Sequence, residues 1–246
     1  MNILFTICGR AGSKGLKNKN LKSLAGKPLV GYAISLIHLF KENHPEFNCV
    51  IGLNTDSNEL KEITKQLDSE IILVDRKDQL ATDTVGKIEV IRDTYLAINN
   101  DSIAFDLIVD LDITSPLREL SDLENLVQNH IDDIDKDIYF SVVPARRNPY
   151  FNMVKNYNNQ ISIVNQSNYT SRQQAPEVYD MNASMYSFKP DFLKEHTYIF
   201  DGKCGIIEMK DYLILDIDSE EDFEWLEFLM PKFLKDSDAL QLVHQN

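Results

Sequence analysis

The first forty residues constrain the fold more than any other stretch. Met1–Cys8 (MNILFTIC) is a short apolar run with β-branched and aromatic side chains. Gly9–Asn20 (GRAGSKGLKNKN) follows as a polar, glycine-bearing segment. Leu29–Phe40 then sets Leu29, Val30, Tyr32, Ala33, Leu36, Ile37, Leu39 and Phe40 at helical spacing, with Pro28 at its start. The reading is strand, cationic loop, helix. Open α/β sheets bind ligands at the loops beyond the carboxyl ends of their strands. Arg10–Lys27 holds six basic residues and no acidic one, in a chain with 39 Asp and Glu against 25 Lys and Arg. That reversal of sign, on a loop whose glycines let backbone N–H groups approach an anion, predicts a polyphosphate site, with a nucleotide as its expected ligand. A merely solvated loop is the plain alternative. The loop is neither a Walker A loop nor a G-x-G-x-x-G fingerprint.

Charge and length exclude other classes. A net charge of −14 repels nucleic acid, so no nucleic-acid partner is expected. No apolar run approaches the roughly 18–20 residues that span a bilayer, and Met1–Cys8 lacks the form of a signal peptide. Cys8, Cys49 and Cys204 form no motif, which fits buried free thiols in a reducing cytoplasm.

The rest of the chain alternates apolar strands with amphipathic helices. Strands are expected at Phe47–Asn54, Glu70–Val74, Phe105–Ile113 and Ile138–Val143. Helices are expected from Thr55–Ser57 to about Leu67, over Thr84–Ile98 and over Ser121–Ile131. This order predicts an α/β fold with a mostly parallel central sheet flanked by helices. All 246 residues read as one domain, with residues 145–180 as an inserted, hairpin-like arm. The arm is rich in Asn, Gln, Tyr and Arg, with short strands at Phe151–Val154 and Ile161–Val164, and it reads as a subunit interface or part of a site. Beyond it, strands are expected at Ala183–Phe188 and Tyr212–Leu215, and a helix over Glu220–Phe233. The tail after Pro231 reads as frayed or as a short helix.

Two acidic pairs stand out. In a strand, residues i and i+2 point the same way, so Asp216 and Asp218 share a face and make a Mg²⁺ site. Asp218 capping the next helix is the alternative. Asp110 and Asp112 form a second pair, ahead of the turn Thr114–Arg118 with its hydroxyls at Thr114 and Ser115. Arg76, Asp83 and Thr84 lie in a loop placed to recognise a base or sugar. The inventory of basic loop, acidic pair and Arg-bearing acceptor side fits phosphoryl or nucleotidyl transfer.

The same segments resemble one family. FTICGRAGSKGLKNKN carries Arg10, Ser13, Lys14, Gly15, Lys19 and Asn20 where acylneuraminate cytidylyltransferases, the CMP-sialic acid synthetases, have R-x-x-S-K-G-x-x-x-K-N. RKDQLATDT, LDITSPLR, SRQQAPEVYDMNASMY and LDIDSEEDF resemble further motifs of that family in the same order, from residue 3 to residue 223. The resemblance implies a Rossmann-like nucleotidyltransferase that joins CMP from CTP to the anomeric hydroxyl of a nine-carbon 2-keto sugar acid. Arg10 and Lys19 would meet the CTP phosphates, with Ser13, Lys14 and Asn20 shaping the loop. Arg76 and Asp83 would lie near cytosine and ribose, and Asp216 and Asp218 would bind Mg²⁺. Arg172, Gln174 and Tyr186 would face the acceptor, beside Asp112, Ser115 and Asp180. A homodimer with the arm reaching its partner is implied as well.

The chain departs from the sialic acid pattern on the acceptor side. Asp112 stands where Gln is common, and Asp180-Met181-Asn182-Ala183 stands where many relatives have R-P-N-G. PARRNPYFN is also unlike the sialic acid form, and Arg146 or Arg147 could supply the displaced charge. These features resemble the branch that activates N,N'-diacetyllegionaminic acid. Neuraminate, pseudaminate and the eight-carbon acid Kdo are the alternatives, and a non-catalytic nucleotide-binding protein of the same fold is the alternative outside enzymes.

Overall fold

Strand β1 (Asn2–Cys8) alternates its side chains so cleanly that it organises two cores. Ile3, Phe5 and Ile7 enter one hydrophobic cluster, and Leu4 enters the other on the opposite face. The structure is a computed structural model describing residues 1–12, 15–82, 84–99 and 103–246. From β1 the chain runs through a small ladder of β2 (Ser23–Leu24) and β3 (Lys27–Pro28) into α1 (Leu29–Asn43). It continues through β4 (Asn48–Thr55), α2 (Asn58–Leu67), β5 (Ile72–Asp75), α3 (Lys87–Ile98), β6 (Leu107–Leu111), α4 (Leu120–Asp132) and β7 (Ile138–Pro144). An exposed ribbon of β8 (Val154–Tyr157) and β9 (Gln160–Ile163) precedes β10 (Tyr179–Phe188), α5 (Pro190–Glu195), β11 (Cys204–Glu208), α6 (Glu220–Asp236) and α7 (Asp238–Gln245).

The main sheet has the order β11-β7-β10-β6-β1-β4-β5. The pairs β1/β4, β1/β6, β4/β5 and β7/β11 are parallel, whereas β10 runs antiparallel to both β6 and β7. Helices α1, α4, α6 and α7 bury their apolar faces against one side, and α3 and α5 against the other. The mostly parallel α/β architecture expected from the sequence is therefore the one observed. Among the described residues no helix is long and apolar enough to cross a membrane.

Two local expectations need correction, and the open choice for the tail falls to the short helix. Tyr212–Leu215 is not a strand: Asp211–Ile214 forms a single 3-10 turn. The place beside β7 is taken by β11, whose ladder closes with Met209 N–H donating to the Val142 carbonyl at 2.8 Å. Leu213 within that turn and Ile217 in the irregular segment beyond it are both buried. Strand β11 went unread because CGIIE is short and contains a glycine. A Cβ at Gly205 would stand 2.2 Å from the Tyr139 ring, so glycine is what lets β11 approach β7. The tail is not frayed, since Ser237 caps α7 by accepting from Leu240 N–H, and Leu240 and Val243 join the core. The arm strands also sit slightly displaced from their expected positions, at residues 154–157 and 160–163.

Candidate functional site

Parallel strands end on one edge of the sheet, and the loops there converge. The loop after β1 leaves at Gly9, whose N–H donates to the Asn54 carbonyl of β4 at 3.1 Å. Ala11 N–H donates to Asp56 Oδ1 at 2.7 Å. Asn20 Nδ2 closes the loop by donating to the Arg10 carbonyl at 3.0 Å. Arg10, Gly12, Lys19, Asn20 and Ser57 line a cavity of about 90 Å³ inside this turn. Ser13 and Lys14 lie outside the described residues, as does Asp83.

The cationic loop meets the acidic pair. Lys19 Nζ lies 2.9 Å from Asp218 Oδ1 and donates to the Ile217 carbonyl at 2.9 Å. Gly15 packs so tightly that a Cβ there would stand 2.1 Å from the Asp218 carbonyl oxygen, so any side chain would push the two segments apart. Asp216 and Asp218 flank Ile217, which is fully buried and whose N–H donates to the Thr114 carbonyl at 2.9 Å. The helix after them is capped by Ser219, which accepts from Asp222 N–H, so Asp218 is not needed as the cap. Burial raises the Asp216 carboxyl above its usual range, and the neighbouring Asp218 and Asp112 push it the same way.

That donor set suits a hard divalent cation. A carboxyl raised by a neighbouring carboxylate is what a cation relieves, and Mg²⁺ typically takes one or two carboxylates and completes its shell with water and substrate phosphates. Among the described residues there is no cluster of three or more His, Cys, Asp or Glu shaped for an all-protein metal cage. The residues thus fit a shared protein–phosphate site.

Arg76 is buried beside the phosphate loop. Its Nε donates to Asn54 Oδ1 at 2.9 Å and its Nη2 to the Asn54 carbonyl at 3.1 Å. Burial lowers its pKa, and it sits in the field of Cys8, Asp56, Arg10 and Asp110. Cys8 is a core thiol: burial, reinforced by Asp110, raises it far above the thiolate range.

On the other side of β1, the end of β6 carries a buried charge cluster. Asp110 is fully buried, with Oδ1 accepting from Thr6 Oγ1 at 2.7 Å. Lys87, at the start of α3, brings Nζ to 3.0 Å from Asp110 Oδ2 and 2.8 Å from Asp112 Oδ2. Burial pushes the Asp112 carboxyl up, but Lys87 and Thr114 more than reverse this, and it titrates below the usual carboxylate range. Tyr186, opposite Asp110 in the β10 ladder, lies under Lys87 with its ring centroid 4.9 Å from Nζ. Ser115 is buried with its Oγ unpartnered. Arg118, among the largest fully buried side chains, donates from Nε to the Ser115 carbonyl at 2.7 Å and from Nη2 to the Asp112 carbonyl. It is a buried pin of its own turn.

The arm residues are gathered elsewhere. Arg172 lines a cavity of about 560 Å³ with Asn148, Glu177, Tyr179 and Glu208, and its Nη2 donates to the Arg146 carbonyl. Gln174 Oε1 accepts from Thr170 N–H at 3.0 Å. Asp180 lines an adjoining cavity of about 510 Å³ with Arg147, Phe140, Met181 and Phe200. Arg147 therefore stands beside Asp180, whereas Arg146 is paired with Asp211 at 2.6 Å. Neither cavity includes a residue of the phosphate loop.

Arg10, Lys19, Asn20, Arg76, Asp112, Ser115, Tyr186, Asp216 and Asp218 thus gather along the strand ends, and Arg172, Gln174 and Asp180 belong to the arm. Sequence reasoning missed Lys87. The readable signal was a lysine at a helix start, where the helix dipole disfavours a cation.

Comparisons with known proteins agree with this geometry. Residues 4–242 match the family model described as "Cytidylyltransferase". The chain is 37% identical over 233 residues to "Post-translational flagellin modification protein B" of Campylobacter coli, covering 93% of this chain and 94% of that protein. It is also 37% identical over 229 residues to "CMP-N,N'-diacetyllegionaminic acid synthase" of Campylobacter jejuni subsp. jejuni, with the same coverage. In fold it is similar to a solved CMP:2-keto-3-deoxy-manno-octonic acid synthetase complexed with CTP, with TM-score 0.67, 14% identity, and coverage of 94% of this chain and 99% of that one.

Proposed function

The chain belongs to the cytidylyltransferase family and is a nucleotidyltransferase, and from that premise we propose that it joins CMP from CTP to N,N'-diacetyllegionaminic acid. The acceptor's anomeric hydroxyl attacks the α-phosphorus of CTP, and pyrophosphate leaves. The observation that carries this reading is the contact of Lys19 with Asp218, which joins a cationic loop to an acidic pair across the sequence. Phosphoryl chemistry depends on positioning and charge neutralisation, and this contact supplies a site of both signs.

Each residue has a role in this reading. Arg10 and Lys19 hold the triphosphate and stabilise charge on the leaving pyrophosphate. Ser13, Lys14 and Asn20 shape the loop. Arg76 and Asp83 lie toward cytosine and ribose. Asp216 and Asp218 hold Mg²⁺, which supplies charge stabilisation at the phosphates. Asp112, Ser115 and Tyr186 form the acceptor side from within the protomer, and Arg172, Gln174 and Asp180 complete it from the arm.

The ribbon of the arm supports a homodimer. In the β8/β9 register Val154, Ile161 and Ile163 share one face, and Val154 and Ile161 are each 65% exposed. Among the described residues little covers Val154 and Ile161, and such an apolar face fits a partner subunit. A cytoplasmic location belongs to the same reading, supported by the free thiols of Cys8, Cys49 and Cys204.

The test is pyrophosphate release with CTP, Mg²⁺ and a panel of legionaminic, neuraminic, pseudaminic and Kdo acids. The highest kcat/KM is expected on N,N'-diacetyllegionaminic acid. Preference for another acid would reassign the acceptor, and no turnover on any of them would sink the reading.

A further inference from the structure

Lys87 is fastened to three separate elements. Its ammonium meets Asp110 of β6, Asp112 in the turn after it, and the Ala183 carbonyl of β10 at 3.5 Å. Ala183 lies where the β10 register shifts between Met181 and Tyr186, and it holds a left-handed backbone with φ of 51°. A residue with a Cβ takes that conformation only where its surroundings enforce it. Asp112 is itself held twice more, accepting from Thr114 N–H at 2.9 Å and Thr114 Oγ1 at 2.8 Å, and its own N–H donates to the Ser184 carbonyl at 3.0 Å. Lys87 thus ties the end of β6 to the irregular stretch of β10. Its position at a helix N-terminus is unfavourable for a cation, so local helix formation does not account for it.

The same ammonium sets the local charge. Without it, Asp110 and Asp112 would lose the one ammonium that contacts both, leaving Arg118 as the nearby cation, and the Asp112 charge already reaches Asp216. An anionic acceptor approaching that edge would be repelled.

We propose that Lys87 is a positioning residue for the acceptor: it locks Asp112 and the Asn182–Ser184 segment into one arrangement and cancels charge that would repel a sugar acid. This rests on the reading that the acceptor is a sugar acid. Lys87 acts through its partners and takes no part in the chemistry at phosphorus.

The experiment compares wild type, Lys87→Met and the double variant Lys87→Met/Asp110→Asn, varying CTP and N,N'-diacetyllegionaminic acid separately. Lys87→Met is expected to raise KM for the acid at least about tenfold and to leave KM for CTP within about twofold. The double variant restores the net charge of the cluster and is expected to recover a large part of the loss. Equal changes in both KM values, or an unchanged KM for the acid, would overturn the proposal. If Lys87→Met does not fold, Lys87→Gln supplies the same comparison. A crystal structure of the variant decides the positioning claim without any acceptor: Asp112 and Asn182–Ser184 should shift, and unchanged positions would overturn it. If wild type turns over no sugar acid, the functional reading falls separately and that crystal structure still decides.

Discussion

Lys19 Nζ lies 2.9 Å from Asp218 Oδ1, joining the loop after the first strand to the segment before α6, 199 residues away in the chain. The Asp218 side chain remains 74% exposed, so the pair contributes about 0–1 kcal/mol to stability. In the proposed reading, its value lies in holding the two halves of the phosphate site at a working distance.

Lys19→Met is therefore expected to be a kinetic and not a stability variant. Removing one charge stabiliser from a transition state lowers kcat by about 10²–10³ in comparable sites. Steady-state kinetics should show that loss, and thermal melting should move by no more than about 2 °C. A melting shift large enough to account for lost activity would contradict it.

Metal removal should abolish turnover, and added Mg²⁺ should restore it. Because an ion that binds the folded state stabilises it, Mg²⁺ should raise the melting temperature of the wild type in the presence of CTP. Asp216→Asn and Asp218→Asn should lose both the activity and this shift. A normal Mg²⁺-dependent shift in the Asp216→Asn/Asp218→Asn double variant would show that the ion binds elsewhere.

Two buried groups give stability a testable pH dependence. His130 is buried with Nδ1 at 2.6 Å from Ser187 Oγ and Nε2 unpartnered, and burial pushes its pKa down to about 4 from 6.5. The folded state binds fewer protons than the unfolded state in that window, so this contribution is complete above about pH 6.5 and is lost as pH falls toward 4. Asp122 acts in the opposite sense: burial raises it from 3.8 to about 6, so its contribution weakens as pH rises through that range. Urea unfolding of wild type and His130→Asn between pH 7 and 4 should isolate the first effect. The stability difference between them should change by about 3 kcal/mol toward the variant at low pH. A pH-independent difference would mean that His130 does not titrate with folding.

Arg118→Met should be strongly destabilising. Arg118 lies among Asp110, Asp112 and Asp122, and its Nε and Nη2 hold two carbonyls of its own turn. Breaking such a buried charge network costs about 3–5 kcal/mol, readable in chemical denaturation. A cost below about 1 kcal/mol would show that the turn holds itself.

Val154→Asp with Ile161→Asp should convert a dimer to monomers by light scattering, leaving the sheet core intact by circular dichroism. Both residues lie outside the two hydrophobic clusters. If the wild-type protein is itself monomeric, the apolar ribbon face serves some other contact.

Much of the architecture was legible in the sequence. The alternation in Met1–Cys8, the helical spacing of Leu29–Phe40 and the sign reversal in Arg10–Lys27 are local signals, set by side-chain period and charge. They determined a mostly parallel α/β sheet with a cationic loop at its edge. The acidic pair at Asp216 and Asp218 was also readable, although for the wrong local reason, since it sits beyond a 3-10 turn and not at a strand end. What only the tertiary structure decided concerns partners far apart in the chain. The reversal of β10 between β6 and β7, the edge place of β11, the seat of Lys87 between Asp110 and Asp112, and the contact of Lys19 with Asp218 all depend on which edges and charges the fold leaves available. Residue type and spacing specify what a segment can form; burial and register specify which distant group it meets.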